Sequence, residues 1–225
     1  MFEILAEEAC YEFGVDVIHA SEFDRRHDCF KGWSVPKSIA FLHALGDAMA
    51  GNVHFGISRS IPKSHYRMRK QQLGYNPSLS AYGFAFGTIV FSLNHGDEFG
   101  LSDRVRAEGV AYRVESGHKN NPDLERYVKS EVEHGNLHAD TSIEFVSKRS
   151  CRAIQLADLY AFYSRRRAHR WYKTKGKLAF LPDVLAMHVQ NKLPHHGGVI
   201  EEPYTSATNT RTGEVFHING LVTAI

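Results

Sequence analysis

Apolar positions recur every three to four residues at the start of the chain, through Phe2, Leu5, Ala6, Ala9 and Phe13. That spacing predicts one buried face of an α-helix, with Gly14 placed to end it. "VDVIH" (Val15 to His19) is a short apolar run and reads as a buried strand. A polar loop, "ASEFDRRHDCFKGW", follows, and Ser34 with Pro36 opens a helix to about Gly51. "NVHFGISRSI" reads as a strand, and "KSHYRMRKQQLG" is a basic segment leading to a loop at Asn76-Pro77. Ser78 or Ser80 is placed to cap a long apolar helix from Leu79 to Leu93.

"GVAYRVESG" (Gly109 to Gly117) is the clearest strand, and Glu115 lies near its end. Asn121-Pro122 opens a helix to about His134, "SIEFVS" reads as a further strand, and "CRAIQLADLYAFYSRRRAHRW" has helical periodicity. "LPDVLAMHVQNKL" reads as a last short helix, and "PYTSATNTRTGEVFHING" as a β-hairpin around Thr212-Gly213. Strands alternating with helices predict an α/β domain over 1–193, with 194–225 as a C-terminal tail or hairpin. No repeat or low-complexity tract interrupts it.

The most apolar segment, "AYGFAFGTIVFSL", is too short for a membrane span. The N-terminus is an acidic amphipathic pattern without a basic leader, so no signal peptide is read. Three widely spaced cysteines without a CxxC are expected as reduced thiols, and the chain as cytoplasmic. The net charge of +2 hides an asymmetry. From Lys148 to Lys177 there are ten Lys or Arg and one acid, Asp158, which leaves 17 basic and 24 acidic residues elsewhere. Such a cluster attracts a polyanion, or complements a helix end in solvent.

Asp158 is expected in the middle of an apolar helix face, near Ile154, Ala157, Ala161 and Phe162. A carboxylate in that position needs a paired charge, a hydrogen-bond donor or a metal. Glu115 is a second acid at a strand end, and acids on separate elements meeting at one end of a sheet suit a hard cation such as Mg2+ or Mn2+. Without a fixed spacing between them, a solvated Glu115 and an Asp158 salt-bridged to Arg152 or hydrogen-bonded across the core explain the pair better on sequence alone. His19 and Glu22 ("IHASEF") form a third candidate, for proton transfer or for orienting a water. Lys148, just before the Asp158 helix, is placed to touch phosphate or pair with a carboxylate. "PHHGG" (Pro194 to Gly198) reads as a flexible loop. No Walker, GxGxxG, GxSxG or HExxH motif is present.

Taken in order, "IHASEFDRRHDCFKGW", a strand ending in "ESG" and "FVSKRSCRAIQLADLYAF" resemble the bacterial family called domain of unknown function 3800, of the ribonuclease-H-like superfamily. His19, Ala20, Glu22 and Phe23 match one family element, and Gln155, Ala157 and Asp158 match its late Gln-x-Ala-Asp helix. Glu115 matches more loosely the acid that ends an inner strand. The resemblance spans roughly Phe2 to Arg167. It implies a ribonuclease-H-like mixed sheet flanked by helices, with Asp158 and Glu115 as metal ligands and His19 and Glu22 lining the site. Gln155 would support Asp158 or contact substrate, Lys148 would contact substrate, and Arg165, Arg166, Arg167 and Arg170 would hold phosphates. The family's Asp-Glu-Ser strand, which should precede the first helix, is not in this sequence. A start site placed too late, a truncated gene or a degenerate protein would each explain this. The first predicts about 30 to 45 further residues encoded upstream of Met1.

The expected function is a magnesium-dependent hydrolase of phosphodiester bonds in nucleic acid, either active or left inactive by the absence of that strand. The alternative is a non-catalytic module that binds nucleic acid or protein on a degenerate ribonuclease-H-like fold. A small-molecule hydrolase using His19 with a metal is a further alternative. No membrane partner is expected.

Overall fold

A computed structural model describes residues 2–49, 56–61, 66–67, 71, 80–96, 100–173, 195–199, 206–208, 215–217 and 221–224. Its described helices are α1 (Phe2–Phe13), α2 (Ala20–Arg25), α3 (Val35–Met49), α4 (Ala81–His95), α5 (Ser102–Glu108), α6 (Asn121–Glu133) and α7 (Arg152–Lys173). The strands are β1 (Gly56–Ser60), β2 (Ala111–Glu115), β3 (Ser142–Val146), β4 (His195–Val199), β5 (Ser206–Thr208), β6 (Val215–His217) and β7 (Leu221–Ala224). The chain is mixed α/β and mostly helical.

The helix ends are set by local chemistry. α1 closes in a Schellman motif: Val15 N donates to Cys10 O at 2.8 Å and Gly14 N to Tyr11 O at 3.1 Å. Gly14 has φ +71°, a conformation that a side chain would strain. Ser80 Oγ caps α4 by accepting from Gly83 N at 3.1 Å. α7 takes its cap from another helix. The Glu3 carboxylate accepts from Arg152 N at 2.9 Å and Ala153 N at 3.2 Å, so α1 and α7 are joined at that end.

Two apolar clusters form among the described residues. The larger joins Ala6, Ala9 and Cys10 of α1 to Phe23, Phe30, Trp33, Phe41 and Leu42, and to Leu156, Leu159 and Tyr163 of α7. Five rings, Phe13, Phe23, Phe30, Trp33 and Phe41, pack there, with Phe23 and Trp33 each 5.1 Å from Phe30. The smaller centres on Val90, Tyr112, Val128 and Leu137.

The strand expected at Val15 to His19 is not one: Val15, Val17 and Ile18 are buried, but in an irregular segment. The loop expected after it holds α2 and a 3-10 turn at Asp28–Phe30. Instead of the one mixed sheet expected, the described strands form three small sheets. β2 and β3 pair in parallel across α6, in register from Ala111 opposite Ser142 to Glu115 opposite Val146. β1 pairs in parallel with β4, and β4 pairs antiparallel with β7. The residues expected as a flexible "PHHGG" loop thus enter a strand, and part of the 194–225 tail joins β1. Of the expected hairpin, β5 and β6 pair antiparallel, and its turn at Thr212-Gly213 lies outside the described residues. The helix expected at "LPDVLAMHVQNKL" lies outside the described residues, as does most of the basic segment before Asn76. No helix of the described residues is long and apolar enough to cross a membrane.

Candidate functional site

Parallel pairing puts the carboxyl ends of β2 and β3 side by side, and in open α/β sheets that is where ligands bind. Glu115 is the last residue of β2. From the end of β3 the chain passes through a 3-10 turn, Lys148–Ser150, directly into α7. The turn swings Lys148 back between two acids. Its Nζ lies 2.6 Å from Asp158 Oδ2 and 4.0 Å from Glu115 Oε2. The lysine side chain is only 10% exposed, against 36% for Asp158 and 47% for Glu115. The acids therefore form the mouth and the ammonium its floor.

Asp158 does not sit in the middle of the apolar face, because Ala157 and Ala161 are exposed. The buried stripe runs through Ile154, Gln155, Leu156, Leu159 and Tyr163, and Asp158 lies at its edge. It holds two donors there, the Lys148 ammonium and Ala20 N, the latter at 3.3 Å. Arg152, weighed as its partner, pairs elsewhere.

Gln155 is fully buried, which leaves it no surface for a substrate and leaves the supporting role beside Asp158 that was also expected of it. Its Oε1 accepts from Ile18 N at 3.0 Å and from Arg152 Nη1 at 2.8 Å, while Nε2 donates to Lys148 O at 2.8 Å. One amide thus ties together the segment before α2, the lysine turn and the first turn of α7. Arg152 extends this network, donating to Glu7 Oε2 at 2.6 Å, Glu7 Oε1 at 3.0 Å and Asp16 O at 2.6 Å. The guanidinium hydrogen-bonded to Glu7 lowers that carboxyl below its ordinary range and raises the pKa of Arg152 itself.

His19 is the N-cap residue of α2, and its backbone carbonyl accepts from Glu22 N at 3.1 Å and Phe23 N at 2.9 Å. The bonds made by Ile18 and Ala20 to the α7 side chains hold His19 beside Asp158 in the chain path. Glu22 lies in the first turn of α2, close enough to Cys29 for its charge to help raise that thiol's pKa, after burial. Ala20 N joins the His19 element to the Asp158 element, although no polar contact links Glu22 to Glu115 or Lys148 among the described residues.

Two ring side chains that the sequence did not single out stand beside Glu115. Tyr82, in the first turn of α4, packs on His118 with ring centroids 4.4 Å apart. Burial, and then the charge of Glu115, raises the Tyr82 phenol's pKa. Nothing in the local sequence of Tyr82 signals this, since its place depends on how α4 packs across β2. Asn121 Nδ2 fixes the end of β2 by donating to Glu115 O at 2.9 Å.

The expected phosphate-holding arginines divide. Arg166 forms an ion pair with Asp24 of α2, so a phosphate there would compete with that carboxylate. Arg165 is exposed, with its guanidinium carbon 5.8 Å from the centre of the Phe162 ring. Arg167 and Arg170 fall on the same helix, with side chains outside the described set. The three cysteines are free, and burial pushes the Cys10 thiol up to about 11, far from a reactive thiolate.

Two partly exposed carboxylates aimed at one ammonium are hard oxygen donors on a common centre. This donor set fits a single magnesium or manganese ion, which takes one or two protein carboxylates and completes its shell with water. Among the described residues, no group of three or more His, Cys, Asp or Glu is arranged to hold a metal. In comparisons with family models, with curated proteins and with solved structures, no match to this chain was found.

Proposed function

We propose that the chain is a ribonuclease-H-like metal-dependent phosphodiesterase, acting on nucleic acid at the mouth formed by Glu115, Asp158 and Lys148. The observation that carries this reading is the meeting of Glu115 and Asp158 on one cationic centre at the carboxyl ends of two parallel strands. The resemblance to domain of unknown function family 3800 supports it, because the His19, Glu115 and Gln155-to-Asp158 elements that carry the likeness lie around the lysine turn. With one ammonium between two carboxylates, the mouth retains a net negative charge. A phosphate would be repelled there until a cation neutralises it.

Glu115 and Asp158 would hold that cation, and Ala20 N would keep Asp158 oriented. A divalent cation supplies a water of lowered pKa and neutralises charge on the phosphate. Lys148 would be a further donor for phosphate oxygens, His19 would transfer a proton, and exposed Arg165 would anchor the strand backbone on α7. The test is cleavage of end-labelled DNA and RNA, single-stranded and duplex, with Mg2+ or Mn2+. Asp158→Asn and Glu115→Gln should each slow cleavage by about 100-fold or more. Equal rates in wild type and both variants would overturn the assignment.

A second reading is favoured by Lys148 itself. Its ammonium already satisfies both acids, as suits a non-catalytic module that binds nucleic acid or protein. In that case no substrate is cut, and Asp158→Asn leaves binding unchanged.

A further inference from the structure

Lys148 differs from a surface lysine in three ways. Its side chain is almost wholly buried, its ammonium is shared between two acids on different elements, and its backbone is anchored separately from its charge. The Gln155 amide holds Lys148 O at 2.8 Å, so the Cα stays fixed while the four-carbon stem can swing. Asp158 is also held twice, by the ammonium and by Ala20 N at 3.3 Å, so it stays oriented if the ammonium leaves. The contact with Glu115 is looser, at 4.0 Å.

Without a counter-ion, two carboxylates facing one point repel each other. With Lys148 present they are held together, but the ammonium occupies the space that a cation shared by Glu115 and Asp158 would need. We infer that Lys148 is an internal counter-ion that preorganises the Glu115–Asp158 pair and competes with a divalent cation for it. This inference rests on the proposed metal site and adds its regulation: cation entry requires the Lys148 ammonium to leave both acids. A divalent ion carries twice the charge of an ammonium and can displace it, but only with weakened affinity. The released ammonium is then available to an anionic substrate, so substrate phosphate and cation should favour each other's binding.

The test is Mn2+ binding to the full chain, followed by the loss of the free-ion electron paramagnetic resonance signal. Lys148→Met removes the charge and keeps most of the stem, and should tighten Mn2+ binding by about ten-fold or more. Lys148→Arg keeps a charge and should bind about as weakly as wild type. A Lys148→Met protein that binds Mn2+ no more tightly than wild type, or neither protein binding it at millimolar concentrations, would overturn the inference. A measurement on wild type guards against a variant that does not fold. Acylation of Lys148 by an amine-selective reagent, read by peptide mass spectrometry, should be slow without metal and severalfold faster with saturating Mn2+. Unchanged labelling would also overturn it. Failure of the phosphodiesterase reading is separate, since it would appear as absent cleavage by a protein that still binds Mn2+ and releases Lys148.

Discussion

Gln155 shows how one side chain can position a site without entering it. Its amide completes three bonds, to Ile18 N, Arg152 Nη1 and Lys148 O. Gln155→Leu preserves bulk but orphans a buried N–H and a carbonyl, at about 1–3 kcal/mol per group. The expected loss is at least about 2 kcal/mol, read as a lower urea midpoint with an unchanged slope. Glu7 gives a pH-dependent counterpart. Its folded pKa lies below the ordinary 4.5 because Arg152 donates to it. The stability from this pair is therefore fully present above about pH 4.5 and is lost as pH falls through the lowered folded value. Wild type should exceed Glu7→Gln in denaturant midpoint at pH 7, and the gap should narrow as pH falls below the ordinary carboxylate range. At this scale the sequence revealed that Asp158 needed a partner. It offered Lys148 as a partner for some carboxylate but not for Asp158 in particular, because Lys148 and Ala20 reach Asp158 through a turn and a loop that have no fixed spacing from it in the pattern.

Helix ends were among the most legible elements, since their signals are local. Gly14 and Ser80 both act as their residue types predict. The cap of α7 was not legible, because Glu3 comes from the opposite end of the chain. Glu3→Ala should lower stability by about 1 kcal/mol, measured by thermal denaturation, with the loss of the acceptor for Arg152 N and Ala153 N as its cause. The segment from Val15 to His19 was misread for a physical reason. Its residues are apolar and buried, as in a strand, but α7 side chains take its polar groups: Ile18 N binds Gln155, Ala20 N binds Asp158, and Asp16 O accepts from Arg152. Side-chain partners replaced a ladder, and periodicity does not distinguish the two.

The concentration of positive charge around α7 is a property of the whole molecule, set against a chain that is otherwise net acidic. If α7 faces nucleic acid, affinity should fall steeply with salt. Arg165→Ala with Arg170→Ala should then flatten the log–log slope by up to about two units on duplex DNA. Arg166→Ala should leave the slope nearly unchanged and lower stability by about 1 kcal/mol or less, since its partner is Asp24. Binding to a short duplex across a salt series checks both. Equal slopes for wild type and the Arg165/Arg170 pair would leave the basic helix as a solvated face.

The sequence by itself determined the α/β class, most helices, both strands of the β2–β3 pair and the two acids worth following. These follow from periodicity, caps and residue chemistry, which act within a few positions along the chain. Tertiary structure alone decided that Lys148 stands between Glu115 and Asp158, that Gln155 is interior, and that Tyr82 and His118 flank the mouth. It also decided that the described strands form separate small sheets and that β4 of the tail pairs with β1. Each of these joins residues distant in the chain or turned by a loop. Their positions depend on how whole elements pack, and no local pattern encodes that packing.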